Sequence, residues 1–465
     1  MIFHSTIYLA FLAVVLAIYW GLPRTAQNVF LVVASYVFYG WEHAWFLIPL
    51  LASTLIDFSC ALAMERFPRR RQLFLLLSVG ASIALLGTFK YYSFALENVN
   101  ALIAVGHIPP LRDIWHLALP VGLSFYTFQS VGYIIDVYRG RVRASRNLLD
   151  YALYVSFFPQ LVAGPIERAA HMLPQYRSAR RFDPVAWRSA LGLMLWGFFK
   201  KLVIADQSAV VANKVFSLAD PAFPVLWTGV FAFAVQIFAD FSGYTDIARA
   251  SAQLLGIDLM QNFRQPYLAS SPADFWRRWH ISLSTWLRDF VYIPLGGSRC
   301  SVVRNSFNLL ATFTLSGLWH GASWNYVLWG VYWGVLILFQ RFLSWLGMGR
   351  KMPLFLKVIL TFALTCAGWL LFRERSLGQL LHDIRQSPFA ATVTQWQVGA
   401  YLGLLCLVYA APLIIQALIE TKEFSWRDLQ PRTRFVLQTA VAVLLLAGIV
   451  VGRSVVASDF IYFQF

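Results

Sequence analysis

Apolar residues in this chain gather in long unbroken runs. They cover about residues 5–22, 27–40, 44–63, 73–89, 117–137, 149–163, 189–205, 223–241, 306–320, 324–340, 355–372, 399–419 and 435–452. Strands half-buried in a sheet would alternate apolar and polar positions, and these runs do not. They are also too long and too continuous for barrel strands. Each is therefore read as a helix. Most approach the ~20 apolar residues that cross a bilayer.

The loops between the runs test this reading. With the N-terminus outside, Arg66 and Arg69 to Arg71 fall inside, as do Arg139, Arg141, Arg143 and Arg146, and Lys422, Arg427, Arg432 and Arg434. Most Lys and Arg then lie on the inner side, as the positive-inside rule requires. One run breaks the alternation. Residues 149–163 have Arg143 and Arg146 before them and Arg168, Arg177, Arg180 and Arg181 after. The run is short and ends in Gly164-Pro165, so a re-entrant segment is expected, with 159–167 as the wall of a cavity.

Composition agrees. Of 465 residues, 59% are hydrophobic and only 13% charged, where a soluble domain has about 25% charged. Lys and Arg number 38 against 22 Asp and Glu. Cytoplasmic loops account for that excess better than nucleic acid does. The four cysteines are far apart, with no zinc spacing, so no metal site is expected. Cys60, Cys366 and Cys406 read as small apolar residues inside spans. The N-terminus has no basic leader and reads as a retained first span. No fixed-period repeat or inverted repeat is visible. The chain, 1–465, is expected to form one membrane domain.

Polar residues that carry chemistry concentrate in 240–330. Asp240-Phe241-Ser242-Gly243-Tyr244-Thr245-Asp246 follows an apolar run. Either Ser242-Gly243 ends the span and the acids meet water, or the acids line a buried cavity. Ser271-Pro272-Ala273-Asp274 is a helix start, with Ser271 as cap and Pro272 in the first position. A helix over 272–290 would place Trp276, Trp279, Leu283, Trp286, Leu287 and Phe290 on one face. Arg277, Arg278, Ser284, Arg288 and Asp289 would fall on the other. That is a basic amphipathic helix suited to the headgroup layer. His280 lands on its apolar face. A histidine there either bonds a backbone carbonyl or serves chemistry.

The run 306–320 ends Ser316-Gly317-Leu318-Trp319-His320-Gly321. Gly317 and Gly321 form a GxxxG that admits a second helix at close range. Gly321 is placed to end the helix, which leaves His320 at its carbonyl end. An imidazolium is favoured there, as a general base needs when it takes a proton. A His bonded to a carbonyl or facing a pore is the alternative. No GxSxG, P-loop, dinucleotide-binding GxGxxG or HExxH is present. His4, His43, His107, His116, His171 and His382 have no partners at motif spacing.

Four blocks resemble the membrane-bound O-acyltransferases, in the bacterial branch of alginate O-acetylation and teichoic-acid D-alanyl transfer. They are Pro120-Val-Gly-Leu-Ser-Phe-Tyr126 through Asp136-Val-Tyr-Arg139, Phe158-Pro-Gln-Leu-Val-Ala-Gly-Pro165, Asp240-Phe-Ser-Gly-Tyr244, and Phe275 to Arg288 continued by Leu318-Trp-His-Gly321. The first 60 residues match mainly as spans, and 345–465 carry no recognised motif. The resemblance implies an all-α polytopic membrane protein, with about 11–13 transmembrane or re-entrant helices ringed around a central pore. It implies a catalytic core over 120–330, with His320 catalytic and His280 a second site position. Trp319, Asn325, Arg277, Arg278, Asp240 and Tyr244 are the substrate-binding candidates.

The resemblance further implies transfer of a short acyl group, most simply acetyl. The donor would be a cytoplasmic thioester such as acetyl-coenzyme A, a substrate and not a bound cofactor. The acceptor would be a hydroxyl outside. Partners expected are membrane lipids and a periplasmic or small membrane protein that accepts the acyl group. The location expected is the bacterial inner membrane, in multiple passes. Arg277, Arg278, Arg288, Arg299 and Arg304 would meet donor phosphates or an acidic carrier, or equally lipid headgroups. D-alanyl transfer and a polytopic transporter without chemistry are the alternative functions. A lipid-linked glycosyltransferase would be expected to use acidic residues in an outward loop, and no strong candidate is seen.

Overall fold

A computed structural model describes residues 1–113, 118–162, 164–348, 351–374, 376–421, 430–454 and 460–461. Among these residues the fold is helical, with no strand. The chain runs α1 (Thr6–Tyr19), α2 (Arg24–Gly40), α3 (Leu47–Arg66), α4 (Arg71–Leu86), α5 (Tyr92–Val105), α6 (Leu123–Tyr138) and α7 (Leu148–Ser156). It continues through α8 (Phe158–Leu161), α9 (Ala169–Arg177), α10 (Pro184–Phe199), α11 (Asp206–Val215), α12 (Phe223–Leu254), α13 (Pro272–Arg278) and α14 (Ile281–Leu287). The last six are α15 (Val302–His320), α16 (Trp324–Trp345), α17 (Leu354–Arg373), α18 (Leu377–Ile384), α19 (Val393–Thr421) and α20 (Pro431–Gly452). The start of the run at 117 and its end at 163 lie outside the described residues, as does His116.

Seven helices among the described residues are long and apolar enough to cross a membrane. Their surfaces show which solvent they were built for. On α20, Leu444 is 71% exposed and Val451 86%, and α19 exposes Leu404, Val408 and Ile415. Water would oppose so continuous an apolar face, and lipid tails do not. The chain is a multi-pass membrane protein. Cys60, Cys366 and Cys406 are buried in α3, α17 and α19, as small apolar residues would be.

The centre is α12. Thirty-two residues long, it packs on α10, α11, α17 and α19 and is mostly buried. Ser242-Gly243 does not end it; this corrects the reading of that pair as a break. A Cβ on Gly243 would come within 2.9 Å of the Gly197 carbonyl on α10, so the glycine is a point of close helix approach. The Ser242 hydroxyl accepts from Lys200 at 3.0 Å.

The re-entrant expectation for 149–163 meets two short helices, α7 and α8, broken at Phe157 and almost wholly buried. The single helix expected over 272–290 is also two helices. The chain leaves helical geometry at Trp279 and crosses into the left-handed region at His280 (φ 42°, ψ 55°) before α14 begins. Trp276, Trp279, Leu283, Trp286, Leu287 and Phe290 are all buried, but against protein. Trp276 and Trp279 pack with Phe275, Trp333 and Trp369, while Leu283, Trp286, Leu287 and Phe290 form a second cluster with Phe128. The start of α13 follows the sequence: Ser271 accepts from the Asp274 amide at 3.2 Å, with Pro272 next.

The GxxxG is a packing device. A Cβ on Gly317 would lie 2.0 Å from the Tyr326 carbonyl, and one on Gly330 would lie 2.2 Å from the Phe313 carbonyl. So α15 and α16 meet backbone to backbone. Gly317→Ala should force the pair apart, at about 1–3 kcal/mol or more. Gly80→Ala has open space around its Cβ and is the control. Thermal unfolding in detergent should show a lowered midpoint for the first variant and none for the second.

Candidate functional site

The site is built where α15 stops. His320 is its last residue and is 3% exposed. The chain turns away at Gly321 with extended backbone (φ −162°), not in the left-handed form that usually ends a helix at glycine. Glycine is needed there for space, because a Cβ would lie 2.1 Å from the Tyr326 ring. The imidazole packs between Trp319 and Trp329, each 5.0 Å away between ring centres, with Phe372 at 5.5 Å.

His280 comes to the same place from the kink between α13 and α14. Its ring lies 6.5 Å from that of His320 and 5.7 Å from Trp319. Phe241 on α12 closes its other side at 4.8 Å. The kink is clamped by residues 262–264. The Ile281 amide donates to the Asn262 carbonyl at 2.9 Å, and the Arg264 amide to the Arg278 carbonyl at 2.9 Å. The Ser282 hydroxyl accepts from the Ile166 amide at 3.0 Å. A non-glycine residue at positive φ is costly and persists only where its surroundings enforce it. Here they enforce it at a histidine.

A cavity of about 110 Å³ opens at His320 and Trp319. Its other walls are Lys90, residues 119–125 and Val162. The neck is tight. Gly122 begins α6 with φ +78°, and a Cβ there would lie 2.5 Å from the Leu161 carbonyl. The blocks at 120–126, 158–165 and 318–321 therefore meet at one cavity, with the block at 240–244 behind His280. A second hollow, of about 40 Å³, is polar, with Lys200, Ser242, Asp246, Gln261, Asn262 and Glu420 in its walls. It shares Asn262 with the clamp on His280.

The other candidate residues stand elsewhere. Asp240 is buried against Lys201 at 2.9 Å and accepts from the Ile461 amide at 2.7 Å. Lys201 also pairs with Asp206 at 3.0 Å. Tyr244 lies one turn on, stacked between Phe460 at 4.1 Å and Phe3 at 4.7 Å. Asn325 donates to the Glu374 carbonyl at 2.5 Å. Arg277 and Arg278 reach the surface and both pair with Asp274. The structure thus groups His320, Trp319 and His280, and sets the remaining five apart from the cavity.

One residue escaped the sequence reading. Lys90 lies in a widened π turn, Gly87–Tyr91, inside a continuous apolar helix from Pro68 to Val105. Its ammonium donates to the Trp319 carbonyl at 2.5 Å and the His320 carbonyl at 3.2 Å. A lone Lys at the end of an apolar run is the signal, since intramembrane charge is costly.

Glu167 and His171, outside the apolar helices, tie the segment after α8 to the 258–262 loop. Glu167 accepts from His171 at 2.9 Å and from the Met260 amide at 2.6 Å. Burial pushes the Glu167 carboxyl up, and the hydrogen bond to Glu167 raises His171.

The family model of the membrane-bound O-acyltransferases matches residues 140–373. A probable alginate O-acetylase AlgI of Pseudomonas putida is 35% identical, with all of each chain aligned. A peptidoglycan O-acetyltransferase of Helicobacter pylori is 36% identical over 83% of this chain and 79% of its own. A teichoic acid D-alanyltransferase of Streptococcus thermophilus is 30% identical over 53% of this chain and 62% of its own. With the family match reaching through α17 and the similarity to the first relative running end to end, this chain belongs to the membrane-bound O-acyltransferase family and is an O-acyltransferase.

Proposed function

We propose that the protein moves an acetyl group from a cytoplasmic thioester, acetyl-coenzyme A, to a hydroxyl outside the inner membrane, on a polysaccharide or on a partner protein that passes it on. His320 serves as general base. The carrying observation is that His320 and Trp319 line a cavity walled by three separate blocks, with the His280 ring packed behind them, 5.7 Å from Trp319 and 6.5 Å from His320.

Helix direction supports a two-sided site. The helix that brings Lys90 to the cavity starts at Arg69 to Arg71, and the one that brings His320 starts at Val302, with Arg299 just before it and Arg304 in its first turn. The helix that starts at the cavity, α6, ends at Arg139 and is followed by Arg141, Arg143 and Arg146. In each case the basic cluster lies at the far end, so the positive-inside rule puts the cavity toward the outer face. The polar hollow at Asp246 and Glu420 lies near the end of α19, and the sequence beyond that helix carries Lys422 and Arg427. That favours entry of the donor there, on the side where thioesters are made.

In the reaction the acceptor hydroxyl oxygen attacks the thioester carbonyl carbon while His320 takes its proton. The tetrahedral intermediate collapses, the carbon–sulfur bond breaks, and the imidazolium returns the proton to the leaving sulfur. A positioned base contributes about 10²–10⁴-fold. His280, whose backbone is clamped by the Asn262 that also lines the polar hollow, would orient the thioester or face its developing negative oxygen. Alginate acetylation is the reading favoured for the acceptor, because the full-length relative carries that name. The acetyl group is proposed to pass through a periplasmic or small membrane partner protein.

His320→Ala should lose at least about 100-fold in thiol release from labelled acetyl-coenzyme A, with the protein still present in the membrane. Wild-type turnover by that variant would reject His320 as the base. His280→Asn keeps a residue that tolerates positive φ and removes the imidazole. Its activity should fall between wild type and His320→Ala; full activity would make the His280 imidazole structural.

A further inference from the structure

We propose that Lys90 is a positioning residue for the transfer reaction: its ammonium holds the last carbonyls of α15 and so fixes His320 at the cavity wall. The inference rests on His320 being the base.

A helix leaves its final carbonyls without backbone partners. Three of those carbonyls at the end of α15 take donors from one short segment. The Tyr91 hydroxyl donates to Leu318 at 2.9 Å, and Lys90 donates to Trp319 and His320. Neutral groups would satisfy carbonyls without the cost of a charge at membrane depth, and Tyr91 shows that one can. An ammonium gives a stronger, charge-assisted bond, and a helix C-terminus favours a cation. The π turn matters too. In a regular helix adjacent side chains point about 100° apart, yet here Lys90 and Tyr91 reach the same helix end. Single π turns of this kind recur at functional sites. Lys90 also lines the cavity, lies 3.5 Å from the Ser124 hydroxyl, and stands 5.8 Å from the centre of the Trp319 ring. Its charge, the end of α15 and the entrance at 119–125 thus form one rigid corner.

The test compares wild type, Lys90→Met, Lys90→Arg and His320→Ala in the full chain, measuring kcat and KM for acetyl-coenzyme A and for the acceptor. Lys90→Met should lower kcat about 10- to 100-fold, the cost of a misplaced base. Both KM values should stay within about threefold, and Lys90→Arg should recover part of the loss. Unchanged kcat would overturn the proposal. So would a raised acceptor KM with kcat intact, which would make Lys90 a recognition residue for an acidic sugar. A readout independent of turnover is the rate at which diethyl pyrocarbonate modifies His320, followed by mass spectrometry. Released from its tether, His320 should react several-fold faster in Lys90→Met, and an equal rate would overturn the proposal. If His320→Ala keeps wild-type turnover, the reading of His320 as base fails, and the modification rate alone decides whether Lys90 positions it.

Discussion

A helix that stops among buried rings must find donors for its last carbonyls, and the end of α15 is where this protein meets that demand. Trp329, Phe372 and Tyr326 surround the terminus, so water is poorly placed to help. Lys90 and Tyr91 supply the donors instead. Gly317 and Gly321 let Tyr326 close in without a gap. These contacts fix where His320 points, and through Trp319 they fix its distance from His280. The cavity is what remains once the helix end has been satisfied.

The same accounting explains the charges deep in the fold. In a low-dielectric interior an isolated ion is expensive, and a pair is tolerable only with further hydrogen bonds. Lys201 lies between Asp206 and Asp240, and Asp240 takes the Ile461 amide as well. Asp57 is buried with Ser53 and Ser78 as donors. These groups pin helices to one another. Asp240 therefore holds α12 in register, and Phe241, the next residue, is thereby pressed against His280.

Much of this was legible in the sequence, for physical reasons that vary by element. Apolar runs announced the helices because lipid selects for length and continuity. The cap at Ser271 and the GxxxG at Gly317 were readable because each depends on a few local atoms. The kink at His280 was not. Periodicity places a residue on a helix face only if the helix continues, and here tertiary bonds from Asn262, Arg264 and Ile166 outweigh local preference. The Ser242-Gly243 pair misled for the opposite reason: it looks like a helix end but serves as a seat for α10. Lys90 was hidden by position, since a Lys flanking a span is ordinary until the structure shows what it touches.

The kink and the tether together bear on how a base and its partner come to face one another. His320 sits at the end of a helix and His280 at the break between two, so neither is held by a regular helical turn on both sides. The end of α15 leaves His320 open to the cavity, and both positions come at the cost of backbone order. Each is repaired by contacts from a distant part of the chain: residues 90–91 for His320, and residues 166 and 262–264 for His280. The repairs share no residue, and the two rings meet through Trp319. Their 6.5 Å separation is then a property of the whole packed core, set by Trp319 beside both rings and by Phe241 of α12 on the far side of His280. A substitution far from either ring can change that distance only by moving one of those supports, which are built from glycine contacts and stacked rings.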